Sequence, residues 1–284
     1  MSRLPLLSLT EHGPADAPTV LLLHGGGVSG WMWRPVVERL PGYHCLVPDL
    51  PEHGRSQAVA PFGIHDAAER LAALVRDRAH GGRAHVVGLS LGGQVGLQLA
   101  ATAPERVASV LVTGVSLHPS PHATWMRRPL GRRLLDGTMR AYWPWRMTPA
   151  LLRANMRGFE VPEAFAAEFA QDTQAMTPEA MVRIVFEESQ AFTLPSGLST
   201  SEVPMLVLVG EREEPVVVRS AADLLATVPR STGGVLPGAG HNWPLASPDR
   251  FAAALEAWLA DGSAPRDLRA LPTATGIWER RPRS

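Results

Sequence analysis

Lysine is absent from this 284-residue sequence, and all 27 of its basic residues are arginine. That absence excludes Schiff-base chemistry, the phosphate-binding lysine of a P-loop and a Ser-x-x-Lys hydrolase centre. Cysteine is nearly absent too. Cys45 stands alone, so neither an internal disulfide nor a cysteine-based zinc site can form. It lies in the apolar run Tyr43–Val47 and reads as a buried structural thiol. No His-Glu-x-x-His or His-x-His cluster occurs, so neither a protein-ligated metal nor another cofactor is expected. The 27 acidic residues cancel the arginines, leaving no charge excess to hold nucleic acid or an anionic membrane. No apolar run is long enough to span a bilayer. The opening MSRLPLLSLTEHGP is broken by Pro5 and has no small-residue cleavage site. A cytoplasmic protein acting on a small molecule is expected; the oligomeric state leaves no signature.

What is present is a rhythm. Short β-branched and Leu-rich runs recur at Thr19–Leu23, Tyr43–Val47, Ala84–Val87, Val107–Thr113 and Met205–Val209. Continuous apolar runs of that length suit parallel strands buried on both faces. Helical patterns lie between them. Asp66 and Glu69 read as a capping pair before Leu71, Leu74 and Val75, and Phe251, Leu255, Trp258 and Leu259 form a late apolar stripe. Alternating strand and helix predicts an α/β fold around a mainly parallel sheet. The rhythm breaks between about Leu117 and Thr200, where Thr148-Pro149 and Thr177-Pro178 mark helix starts. Bulky apolar residues crowd this stretch, which is read as a helical lid inserted in the core. Residues 119–158 hold eight Arg and one Asp, whereas 159–192 hold six Glu, one Asp and one Arg. Mutual pairing of the halves is the simpler account of that asymmetry, and recognition of an anionic substrate the other. From about Asp261 the chain is Pro- and Arg-rich and reads as a loosely held tail.

The stretch LLLHGGGVSGWMW supports two incompatible readings. Gly25, Gly27 and Gly30 fit a dinucleotide-binding turn, with Asp49 as the acid for a ribose. His-Gly-Gly-Gly after a strand equally suits a loop whose amides stabilise an oxyanion. A second motif bears on the choice. Gly88-Leu89-Ser90-Leu91-Gly92 runs from the strand-like AHVVG into the helix-like QVGLQLAA. A serine at such a bend projects from the sheet, and side chains at 88 and 92 would clash. Serine needs a base, and the base an orienting acid. His241, framed by glycines in PGAGHNW after the last strand-like run, is the best-placed base. His85 lies within a strand and reads as packed, and the remaining histidines sit in contexts without a comparable case. No carboxylate follows SVLVTG before His122, whereas Glu211, Glu213 and Glu214 follow MLVLVG.

In order and interval, LLLHGGG, VPDLPEHGRS, HVVGLSLGG, PMLVLVGERE and GAGHNW resemble the α/β-hydrolase fold superfamily, in its lid-bearing esterase, C–C hydrolase and haloperoxidase-like branch. The resemblance covers residues from about 18 to 260. It implies a core of residues 1–117 and 201–260, a lid over 118–200 and a tail over 261–284. It also implies a triad of Ser90, an acid and His241. The acid is expected three residues past Gly210, at Glu213, with Glu211 and Glu214 still open. The amides of Gly26 and Leu91 would form the oxyanion hole. Glu52 stands where the family usually has glycine, and Asp49 and His53 beside it are expected to organise a turn. His24 is expected to brace the glycine loop. The hydrolase reading gives the serine turn, a Glu and His241 a role that a nucleotide fold would leave them without. It predicts cleavage of an ester-type bond through an acyl-enzyme on Ser90. A C–C hydrolase or thioesterase using the same triad, or a non-catalytic receptor on this scaffold, are the alternatives.

Overall fold

The computed structural model describes residues 6–119, 121–126 and 128–271. Seven strands form one sheet: β1 (Leu9–His12), β2 (Thr19–Leu23), β3 (His44–Pro48), β4 (Ala84–Leu89), β5 (Val107–Thr113), β6 (Met205–Gly210) and β7 (Ser231–Leu236). Their order is β1-β3-β2-β4-β5-β6-β7. β1 runs antiparallel to β3, and every other pairing is parallel. Strands β2, β3 and β6 are buried throughout because both faces of the sheet are covered. Alternate residues serve opposite layers: Leu21 and Leu23 join one core, Val20 and Leu22 the other. The first core takes its apolar stripes from helices Ile64–Arg78, Leu91–Thr102 and Pro215–Thr227. The second takes Phe251, Leu255 and Trp258 from helix Pro248–Asp261. Cys45 lies in that second core, where burial pushes its thiol pKa up to about 12.

β1 did not show in the pattern, since LTEH carries one apolar residue and is an edge strand half open to water. The capping reading of Asp66 needs correction. Helix Ile64–Arg78 starts after Gly63, and Asp66 sits inside its first turn, paired with Arg70 at 2.7 Å. Its charge still suits the positive end of the helix dipole.

Between β5 and β6 the chain makes helices Pro121–Met126, Pro129–Tyr142, Pro149–Gly158, Ala166–Ala175 and Pro178–Val182, then a π-helical turn Arg183–Glu188. Thr148 and Thr177 occupy cap positions. Only the Thr177 hydroxyl accepts a backbone N–H, from Ala180 at 3.1 Å. Arg132 pairs with Glu187, and Arg140 approaches Glu179 at 3.8 Å, so some of the divided charge is satisfied across this segment.

Past helix Pro248–Asp261 the chain returns to the sheet, and Val235 and Arg269 exchange two backbone hydrogen bonds of 2.8 and 2.9 Å. Part of the stretch read as a loosely held tail is therefore tied to β7. The rest of that tail, from residue 272, lies outside the described residues. No helix among the described residues is long and apolar enough to cross a membrane.

Candidate active site

β4 ends in a bend at Ser90, whose backbone sits at φ 53°, ψ −115° before helix Leu91–Thr102. A non-glycine residue in that region costs on the order of 1–3 kcal/mol and persists only where its surroundings over-determine it. Here they do. A Cβ at Gly88 would stand 2.5 Å from the Gly92 carbonyl oxygen and 2.6 Å from the Gly93 Cα. One at Gly92 would collide with the Leu23 carbonyl at the end of β2. The two glycines of Gly-x-Ser-x-Gly are thus packing requirements that let helix and strand close on the serine. The Ser90 N–H donates to the Thr113 carbonyl at 2.9 Å, fixing the bend to the end of β5.

His241 follows β7, and its Nδ1 lies 3.0 and 2.9 Å from the two oxygens of Glu213, which follows β6. The Glu213 carboxylate is 2% exposed and the His241 side chain 43%. Burial lowers the pKa of His241; the Glu213 hydrogen bond and charge, with a contribution from Glu160, outweigh it and leave it above that of an ordinary imidazole. The three glutamates that the sequence left open separate cleanly. Glu211 accepts the Gly238 N–H at 2.7 Å and pairs with Arg269 at 2.5 Å. Glu214 is exposed at the cap of helix Pro215–Thr227. Glu213 alone of the three bonds to His241.

Gly114 joins these pieces. At φ 67°, a Cβ there would stand 2.9 Å from His241 Cε1 and 3.1 Å from Glu213 Oε1. Its neighbour Thr113 takes the Ser90 amide on its carbonyl and the Trp243 indole N–H on its hydroxyl at 2.9 Å. The end of β5 is therefore the common wall between Ser90, from β4, and the Glu213–His241 pair, from the loops after β6 and β7. Sequence reading passed over this wall; its one trace is a glycine directly after a strand.

The glycine loop after β2 closes the other side. A Cβ at Gly26 would lie 3.7 Å from Leu91 Cδ2 and 3.9 Å from Ile184 Cγ2, so Gly26 borders the start of the Ser90 helix. His24 is fully buried. Its Nε2 accepts the Leu50 N–H at 2.9 Å, so its proton sits on Nδ1 and is donated to the Gly25 carbonyl at 2.8 Å. Burial lowers its pKa and keeps it neutral. His24 thus staples the glycine loop to the β3 loop. Asp49, the acid of the nucleotide reading, is spent on the Gly30 and Arg55 amides, both at 2.9 Å. Beside it, burial foremost and the adjoining His24 ring push His53 down to about 3.

Two buried carboxylates tie this floor to the β5–β6 segment. Glu52, at φ 60°, binds Arg183 through both oxygens, at 2.9 Å to Nε and 2.5 Å to Nη2, and accepts the Phe62 N–H at 2.9 Å. Asp172 accepts Trp31 Nε1 at 2.6 Å and the Ser29 hydroxyl at 3.2 Å. Neither bond supplies a cation, and burial raises the Asp172 pKa to about 6. Relative to a carboxylate in water, its charged form is destabilised by on the order of 2–3 kcal/mol, a cost borne once the group ionises above that pH. A carboxyl whose folded pKa is raised binds its proton more tightly when folded. Wild-type stability should therefore fall as pH rises from the ordinary carboxylate range to about 6. Asp172→Asn should remove that slope and raise Tm at pH 8 by about 3 °C. Thermal melts at pH 5 and 8 check this, and an Asn variant that melts lower than wild type at pH 8 would contradict it.

Among the described residues no group of three or more His, Cys, Asp or Glu side chains could hold a metal ion. A surface cleft of about 680 Å³, lined by Arg83, Pro104, Ser201 and Arg230 among others, opens at the opposite ends of the strands, away from Ser90.

Ser90, Glu213 and His241 follow the carboxyl ends of β4, β6 and β7, and the profile of the Alpha/beta hydrolase family matches residues 20–254. The chain belongs to that family. A protein of Pseudomonas syringae pv. syringae, provisionally named carbamate hydrolase RutD, is 31% identical over 253 residues, covering 87% of this chain and 95% of its own length. An AB hydrolase superfamily protein of Gibberella zeae is 43% identical over 109 residues, and the chain spans 38% of that relative's length. A thermophilic esterase from Thermogutta terrifontis, solved with malate bound, superposes with TM-score 0.69 at 26% identity, covering 89% of this chain and 92% of the other.

Proposed function

We propose that this chain is a serine hydrolase cleaving an ester-type bond of a small, largely apolar substrate. His241 takes the proton of the Ser90 hydroxyl as that oxygen attacks the carbonyl, and Glu213 holds the imidazole with its proton on Nδ1. The amides of Gly26 and Leu91 meet the oxygen that becomes negative. The leaving alcohol departs with a proton from His241, and water, activated by the same ring, then releases the acid from Ser90. The observation that carries this reading is the buried Glu213 carboxylate on His241 Nδ1, backed by the same end of β5 that holds the Ser90 amide. The helical segment 118–200 acts as the lid. Ile184 against Gly26, and the Phe159 ring against Gly27, support an apolar substrate portion.

A carbamate is the same acyl chemistry with a nitrogen substituent on the carbonyl, and three relatives carry that name. The test is a panel of p-nitrophenyl esters of increasing acyl length beside matched carbamates. Turnover that rises with acyl length and is slower on the carbamates is expected. No turnover on any member would overturn the proposal.

A further inference from the structure

We infer that Glu160, in the helical segment between β5 and β6, is a positioning residue that locks the loop bearing His241 to the loop bearing Glu213. The inference rests on reading those two residues as the catalytic pair. Glu160 Oε2 accepts the backbone N–H of Asn242, the residue after His241, at 3.0 Å. Its Oε1 accepts Arg212 Nη2, from the residue before Glu213, at 3.3 Å. Gly240, the residue before His241, lies so near that any Cβ there would collide with the Glu160 carboxylate. Phe159 adds two contacts. Its carbonyl accepts the Asn242 side-chain amide at 3.0 Å, and its ring lies 3.6 Å from where a Cβ on Gly27 would stand. Two consecutive residues therefore touch the glycine loop, the acid loop and the base loop.

The backbone supports the same conclusion. Glu160 sits at φ 51°, a left-handed conformation in which glycine, asparagine or aspartate is the low-cost choice. Glutamate there is held by what its side chain binds. The charge matters as well as the grip. The charged groups facing the imidazole are Glu213 from the β6 loop and Glu160 from this segment, with Arg212 paired to Glu160; the uncharged Gly114, just after β5, packs against the ring. Both carboxylates favour the protonated ring, so Glu160 raises the pH at which the base becomes free.

Two variants of the full chain grade the loss. Glu160→Gln keeps an oxygen for the Asn242 N–H but removes the charge and, with an NH2 in place of the second oxygen, the Arg212 bond; Glu160→Ala removes all three. The readouts are the His241 imidazole titration by NMR and the acid limb of kcat/KM against pH. Both variants should move the titration and the limb to lower pH. Glu160→Ala should also lose about tenfold in plateau kcat with little change in KM, and Glu160→Gln should lose less. A wild-type plateau kcat in Glu160→Ala, or a plateau kcat and His241 titration both unchanged in Glu160→Gln, overturns the inference, and the glutamine variant decides alone if the alanine variant does not fold. The NMR readout is independent of turnover. A shifted titration in a chain that hydrolyses nothing would sink the proposed function and leave this inference standing; wild-type turnover with unshifted variants would do the reverse.

Discussion

Replacing Ser90 with alanine is expected to cost at least about 10³-fold in turnover and to leave the fold intact. Ser90 owes its place to backbone: the bend at φ 53°, the packing of Gly88 and Gly92, and the amide bond to Thr113. None of these needs the hydroxyl, so circular dichroism and the melting transition should stay close to wild type. A second substitution isolates the strain. Ser90→Gly is equally inactive but can adopt positive φ freely, so it should melt above Ser90→Ala, by about 2–4 °C for each kcal/mol relieved. An alanine variant with wild-type kcat would remove the nucleophile. A glycine variant melting below the alanine one would contradict the strained bend.

Glu213→Gln should have the next largest effect, on the order of 10³-fold in kcat with KM little altered. The carboxylate accepts Nδ1–H through both oxygens, which leaves Nε2 free to take a proton. An amide can instead donate to Nδ1 and force the proton onto Nε2, the wrong tautomer for a base. The pH dependence has a fixed sign. The pKa of His241 is raised on balance, so the free base appears only above the pH of an ordinary imidazole, and activity falls as pH drops through that point. Removing the Glu213 charge should move the limb to lower pH. Stability responds in the opposite sense. The bonus from the protonated pair is full below the unfolded imidazole pKa and is lost as pH rises through the folded one. Less than a tenfold loss in Glu213→Gln, with the limb unmoved, would contradict the pair's role.

Much of the frame was legible because it is local. β2 and β5 follow their apolar runs residue for residue, and β3, β4 and β6 lie within two residues of theirs. Ser90 and its glycines were legible for the same reason: strand, bend and helix are contiguous. β1 was not, since a four-residue edge strand with one apolar residue and no fully buried position is too short to show a period. The family resemblance pointed to Glu213, but setting Glu211 and Glu214 aside was beyond sequence, because it turns on which side chain faces His241 and which is taken by Arg269. Glu160, Asp172 and the Glu52–Arg183 pair were hidden for another reason. Each joins segments 52 to 143 positions apart, and no periodicity records such a contact. Glu52 still left a trace, as an acid where the resembled family carries glycine. The structure supplies its use, a buried bidentate partner for Arg183.

The central claim is that the Ser90 oxygen is the nucleophile, and covalent capture tests it most directly. Wild-type protein treated with a fluorophosphonate, digested and mapped by mass spectrometry should carry a single rapid adduct on Ser90, formed far more slowly in Glu213→Gln. An unmodified Ser90, or an adduct on another residue at the same rate, would contradict the account.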